Sequence, residues 1–250
     1  MSSATCCGRG RRRMPRWRSC ARPLSRRPRP APRPAGTDRR RACSQGMPAP
    51  PSLSGLVRDA KDCQRCPLYR NATQTVFGEG SSHAPVMLVG EQPGDQEDLQ
   101  GRPFVGPAGK ILDRALADAG IDRSRVYVTN AVKHFKFEPR GKRRLHKKPN
   151  AGEIEACKWW LDQELDLIKP ALTVALGATA ARALAGRPIA IGTARGKLME
   201  LRDGLPGLVT IHPSFLLRMP DPEVKAQEYR RFVQDLRLIA KHVPVARLAA

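Results

Sequence analysis

The chain reads as an α/β protein with a parallel sheet at its centre, and three observations carry that reading. Four apolar runs of strand length recur along it, at residues 85–90, 126–130, 171–177 and 208–212. Segments with helical spacing separate them, and continuous apolar strands alternating with helices indicate a parallel sheet buried on both faces. Three of the runs give way to polar residues at their carboxyl ends: Glu91, Gln92 and Asp95 after the first, Asn130 in the second, and His212 and Ser214 after the fourth. Ligands of such sheets sit at the carboxyl ends of the strands, so these loops are expected to converge although they are remote in sequence.

Residues 1–46 stand apart. They hold 14 arginines, no lysine and one acid, Asp38, and so contribute +13 of the chain's +22. Stretches such as 9–13 and 28–34 lack periodicity and large apolar side chains, the composition of a tail. The segment is Arg-rich and acid-poor like an organellar transit peptide, without the apolar stretch of a secretory signal. Because Met47 opens a cleaner sequence, a mis-assigned start or a dispensable tail is expected, followed by one domain over residues 47–250. Within it, helices are expected at 53–62, at 107–119 (Ile111, Leu112, Ala115, Leu116 and Ala119 in register, with Gly120 as the stop), at 153–168, at 178–184 and near 223–242. A long polar loop is expected from 131 to 150. No internal repeat is present, and nothing approaches the roughly 18 uninterrupted apolar residues of a membrane helix.

Residues 47–250 retain a charge of +9, which favours a polyanionic partner such as DNA or RNA, although a solvated basic surface would look the same. Cys6, Cys7, Cys20 and Cys43 fall in the tail, leaving Cys63, Cys66 and Cys157. An odd number without a secretory signal argues against disulfides and for metal chemistry in a reducing compartment, with a cytoplasmic location expected. Cys63-Gln64-Arg65-Cys66 has a chelating spacing, but zinc would want a second close pair. Cys157 stands alone, and the nearest further ligand is His134. Three thiolates and an imidazole can hold an iron–sulfur cluster. Read singly, Cys157 is equally a buried helix cysteine and His134 a loop residue.

Five ordered motifs together resemble the uracil-DNA glycosylase superfamily: Gly90-Glu91-Gln92-Pro93-Gly94 with Glu97-Asp98; residues 101–109 around Phe104; Val128-Thr129-Asn130; His212-Pro213-Ser214; and the cysteines, which are similar to its iron–sulfur branch. Lys142-Arg143-Arg144-Leu145-His146, with Gln92, resembles the UdgX group, whose members bond covalently to the DNA they process. That group shares the histidine at His134 where other iron–sulfur members carry cysteine; Leu145 replaces its usual isoleucine. The resemblance implies a three-layer α/β/α sandwich on a four-stranded parallel sheet and a structural [4Fe–4S] cluster on Cys63, Cys66, His134 and Cys157. It also implies a monomer acting on uracil-containing DNA, single strands preferred, with no membrane association.

The residues then take roles. Such enzymes flip the base into a pocket. Phe104 would stack on it, and Asn130 would donate to uracil O4 and accept from N3–H, contacts that cytosine cannot match. His212 would face O2 and stabilise the charge of the departing base. Ser214, Arg143, Arg144, Lys147 and Lys148 would contact DNA, largely phosphate. His146 would bond C1′ of the sugar while Glu91 takes the proton from its other nitrogen, with Gln92 and Asp95 orienting Glu91 or water. Without the family pattern, His146 reads as a phosphate contact. The alternatives are a turnover iron–sulfur glycosylase and a non-catalytic iron–sulfur DNA-binding module.

Overall fold

The strands of the structure, a computed structural model describing residues 52–248 apart from Asp203, are β1 (Val86–Gly90), β2 (Val126–Asn130), β3 (Phe137–Arg140), β4 (Arg143–His146), β5 (Leu172–Leu176), β6 (Leu198–Glu200) and β7 (Pro206–Thr210). The helices are α1 (Leu53–Ala60), α2 (Asp95–Gln100), α3 (Pro107–Asp118), α4 (Ala151–Ile168), α5 (Ala178–Ala185), α6 (Ile191–Ala194), α7 (Ser214–Leu217), α8 (Pro222–Arg237) and α9 (Ile239–His242). The expected tail and its four cysteines lie outside the described residues.

The main sheet runs β2-β1-β5-β7-β6, with the first four strands parallel. β1, β2 and β5 are buried throughout, and their alternate side chains enter two separate cores. Val86 and Leu88 pack with Leu112 and Leu116 of α3 and with Phe232 and Leu236 of α8. Met87 and Val89 pack with Leu56 of α1, Leu161 and Leu165 of α4, and Leu184 of α5. The result is the expected three-layer α/β/α sandwich. Each such side chain taken fully out of water contributes about 1.5–3 kcal/mol, so the two-sided burial is what holds the layers.

The structure adds elements that the composition conceals. β6 pairs antiparallel with β7 and makes the sheet five-stranded. It is three residues long and mostly exposed, so it has no apolar run to reveal it. The polar stretch expected as loop contains a hairpin, β3–β4, closed at Gly141 in a left-handed conformation (φ 59). Asp95, Glu97 and Asp98 start α2, where negative charge suits the helix N-terminus. α3 stops as expected, its C-cap at Ala119 followed by Gly120 at φ 76. The terminal helix is divided at Leu238 into α8 and α9.

Candidate active site

The ends of β1 and β2 meet where Gly90 pairs with Asn130. A β-carbon at Gly90 would collide with Asn130 Oδ1 and the Phe104 ring, so glycine is what opens a slot between them. Phe104 sits at φ 57, a conformation that a bulky residue adopts only when its surroundings enforce it. Gly109 of α3 allows the Phe104 carbonyl to pack where any side chain would clash. Glu97 fixes the flanking loops by accepting from Gly94 N–H (3.1 Å) and Gly106 N–H (2.9 Å). Phe104 and Asn130 thus line a cavity of about 520 Å³, together with Gln92, Asp95, Pro107, His146, His212, Ser214 and Arg218. Among the described residues, the Asn130 side-chain amide has no protein hydrogen-bond partner although the residue is only 3 % exposed.

His212 lies just beyond β7, its ring roughly parallel to Phe104 (29°, centroids 6.0 Å apart). Ser214 N–H donates to its Nδ1 (3.2 Å), and the Ser214 hydroxyl lies 2.8 Å from the same atom. A nitrogen that accepts from a backbone N–H carries no proton, so the neutral ring keeps its hydrogen on Nε2. Burial, with His146 and Arg218 nearby, pushes its pKa down to about 4. His212 is therefore a neutral N–H donor at physiological pH.

His146 ends β4 and is brought to the cavity wall by the hairpin. Its Nε2 stands 2.9 Å from Gln92 Nε2 and 3.5 Å from Glu91 Oε1. The Gln92 amide is oriented by its neighbours: Oε1 accepts from Lys136 N–H (3.2 Å), and Nε2 donates to the carbonyls of Lys136 and Lys147 (3.1 Å each). Those two carbonyls take both hydrogens of the amide nitrogen, so Gln92 crowds Nε2 of His146 without donating to it, and the acceptor that Nε2 faces is the Glu91 carboxylate. Burial lowers the His146 pKa, Glu91 opposes the shift and Arg218 adds to it. Glu91 is held on its other oxygen by the Thr179 hydroxyl (2.5 Å) at the start of α5. Nothing in the sequence singles Thr179 out.

Several expected roles change. Asp95 does not serve Glu91: its carboxylate takes Arg144 Nε at 2.6 Å. Arg144 also reaches Asp98 (2.5 Å) and lies over the Phe135 and Phe137 rings, so its guanidinium fastens the hairpin to α2. Ser214 spends its hydroxyl on His212 and on Arg218 Nη1 (3.1 Å), which makes it an orienter of the histidine. Lys147 pairs with Glu138 of the hairpin. Arg143 and Lys148 are exposed. Arg218, on the wall of the cavity, was signalled only by its place four residues after the His-Pro-Ser motif.

The cysteines gather on the opposite side of the sheet. Cys63, Cys66 and Cys157 are buried, unbridged, and part of one core cluster. Trp160 Nε1 donates to Cys63 Sγ and Lys133 N–H to Cys157 Sγ, both at 3.1 Å. Burial, with the two other sulfurs nearby, pushes the Cys157 thiol up to about 12, a cost that a bound cation would remove. His134 is buried with Nε2 on the Thr75 hydroxyl (2.9 Å) while Nδ1 has no hydrogen-bond partner. Among the described residues no three such side chains close on a single metal ion. A cluster of several irons is larger than one ion and needs its ligands farther apart. Three thiols with N–H groups directed at two of them, and an orphaned imidazole nitrogen, fit such a group.

A stacking ring, an unpartnered amide and a neutral N–H donor around one slot at the carboxyl edge of a parallel sheet define a site for a flat polar heterocycle. Residues 77–237 match the family described as the uracil DNA glycosylase superfamily, and the chain belongs to it. It is 39 % identical over 176 residues to a type-4 uracil-DNA glycosylase of Thermotoga maritima, covering 70 % of this chain and 85 % of that protein. It is 39 % identical over 177 residues to a type-4 uracil-DNA glycosylase of Pyrobaculum aerophilum, covering 67 % and 86 %. A type-5 uracil-DNA glycosylase of the latter organism is 31 % identical over 160 residues, covering 52 % and 67 %.

Proposed function

We propose that this protein is a uracil-DNA glycosylase that excises uracil and is captured on the abasic sugar through His146, as in the UdgX group. The observation that carries this reading is the setting of His146: a neutral imidazole with Nε2 toward Gln92 (2.9 Å) and Glu91 (3.5 Å), on the wall of the cavity that also holds Phe104, Asn130 and His212.

The flipped uracil stacks on Phe104 and offers O4 and N3–H to the Asn130 amide. The bond between C1′ and the base breaks with its electron pair going to the base, and His212 Nε2–H donates to O2, where the charge collects. The sugar left behind is an oxocarbenium-like cation. The lone pair of the unprotonated ring nitrogen of His146 forms the new bond to C1′, and the alkylated ring then loses the proton on its other nitrogen. A neutral alkylated imidazole is a poor leaving group, so the adduct persists. Glu91, 3.5 Å from Nε2, is placed to take that proton and to offset the positive charge on sugar and ring. Single strands are the favoured substrate because an unpaired base is cheaper to flip.

A structural [4Fe–4S] cluster held by Cys63, Cys66, His134 and Cys157 belongs to the same proposal; it ties α4 to the segment that follows α1. The test is incubation with a uracil-containing single-stranded oligonucleotide followed by a denaturing gel. A band shifted by the mass of the protein is expected. Free abasic DNA alone would make the protein a turnover glycosylase, as the names of its relatives would suit, and unchanged DNA would leave a binding module.

A further inference from the structure

Lys133 and Glu164 form an ion pair (2.6 Å) in which neither side chain has any exposure. As a source of stability such a pair is poor, because desolvation of both charges offsets their attraction and apolar replacements are often no worse. Its connections show what else it does. The Lys133 ammonium has three protons and three acceptors: Glu164 Oε2, Thr129 Oγ1 (2.6 Å) and the carbonyl oxygen of Asn130 (2.8 Å). Glu164 in turn accepts from the Tyr127 hydroxyl (2.8 Å), the Thr129 hydroxyl (2.9 Å) and Gly78 N–H (3.2 Å). Every polar group of the pair is used, which is the condition under which a buried network rigidifies its surroundings.

The Asn130 side chain has no protein partner among the described residues, so nothing grips the amide before a base arrives. Its aim follows from the backbone that carries it, and Lys133 holds the carbonyl of that same residue. We infer that Lys133, anchored by Glu164, is a positioning residue that sets the direction of the Asn130 amide and thereby the protein's preference for its base. The inference rests on the proposed uracil-excising activity.

The test uses the full chain and compares Lys133→Met combined with Glu164→Gln, Thr129→Val, and Tyr127→Phe. Single-turnover excision from uracil-containing single strands is measured with the DNA concentration for half-saturation, bound iron and the melting temperature. The paired variant should excise on the order of 100-fold more slowly, the usual cost of misplacing a group by about an ångström, with half-saturation and iron unchanged. Thr129→Val keeps both charges and removes one acceptor of the ammonium; it should show the same split at smaller size. Tyr127→Phe takes a donor from Glu164 on the side away from Asn130 and should lower the melting temperature without slowing excision. Full excision by a folded paired variant overturns the inference, and if that variant does not fold, full excision by Thr129→Val does so. Equal slowing in Tyr127→Phe would mark general loosening and overturn it too. A wild-type chain that leaves uracil in place overturns the proposed activity, and this inference with it.

Discussion

The strand-end pocket and the cysteine-lined core differ in where their unused polar atoms point. In the pocket, the free groups are the Asn130 amide and, by tautomer, the Nε2–H of His212, and both belong to residues lining a cavity of about 520 Å³. In the core, three buried and unbridged cysteines accept at most one N–H each, and His134 Nδ1, also buried, has no hydrogen-bond partner. The first arrangement suits a guest that enters and leaves. The second suits a group that stays, because burying unmet donors and ligands is costly until something satisfies them. Lys133 joins the two regions: its backbone N–H serves Cys157 and its ammonium serves Asn130.

The largest effect should come from the core. Cys63→Ala removes a proposed cluster ligand and the acceptor of Trp160, so the purified variant should be colourless or insoluble, with near-complete loss of iron against a brown wild type. Wild-type protein containing one zinc and no iron would remove the iron cluster from the core.

The pocket should break without the fold. Asn130→Ala removes the two hydrogen bonds proposed for uracil in a desolvated slot, each worth about 1–3 kcal/mol, so uracil excision should fall by on the order of 100-fold or more. Affinity for undamaged single strands, set by phosphate contacts, should remain near normal. Normal excision by this variant would place base recognition elsewhere.

His146→Ser should change the product more than the rate. The denaturant-stable complex should vanish while excision continues, since Phe104, Asn130 and His212 are intact. A second cavity of about 380 Å³ borders His146 and gives water access to the vacated space. Released abasic DNA over repeated turnovers is the expected readout, and a persisting cross-link would assign the nucleophile to another side chain.

The smallest expected effect concerns pH. With its pKa pushed down to about 4, His212 stays neutral where a free histidine would be charged. Single-turnover excision by His146→Ser should therefore stay level from pH 8 to 5; a fall with a midpoint near 6.5 would show an ordinary histidine. Stability follows the same linkage. Between pH 6.5 and 4 the unfolded chain binds a proton at His212 that the folded chain refuses, so stability drops across that window and levels below it. His212→Gln should lose less melting temperature than wild type between pH 7 and 5.

Much of this was legible in one dimension. β1, β2 and β5 are largely apolar runs because both faces are buried, and β1, β2 and β7 lead to Glu91, Asn130 and His212 because the site opens at their ends. The hairpin carrying His146 was not legible: apart from half-buried Phe137 its residues are charged or exposed, and what pins it is Arg144 against Asp95, Asp98 and two phenylalanines. Ser214 and Asp95 were visible as polar residues near the site, yet their partners lie across loops that spacing does not relate.

The sequence by itself determined the parallel sheet buried on both faces, because periodicity and residue type follow from which surface leaves water, and its family motifs marked Phe104, Asn130 and His212. Only the tertiary structure decided the proton on His212, the neighbours of His146 and the grip of Lys133 on Asn130. Those depend on distances of a few ångströms between residues far apart in the chain, and hydrogen bonds and charges act over such distances, not over sequence separation.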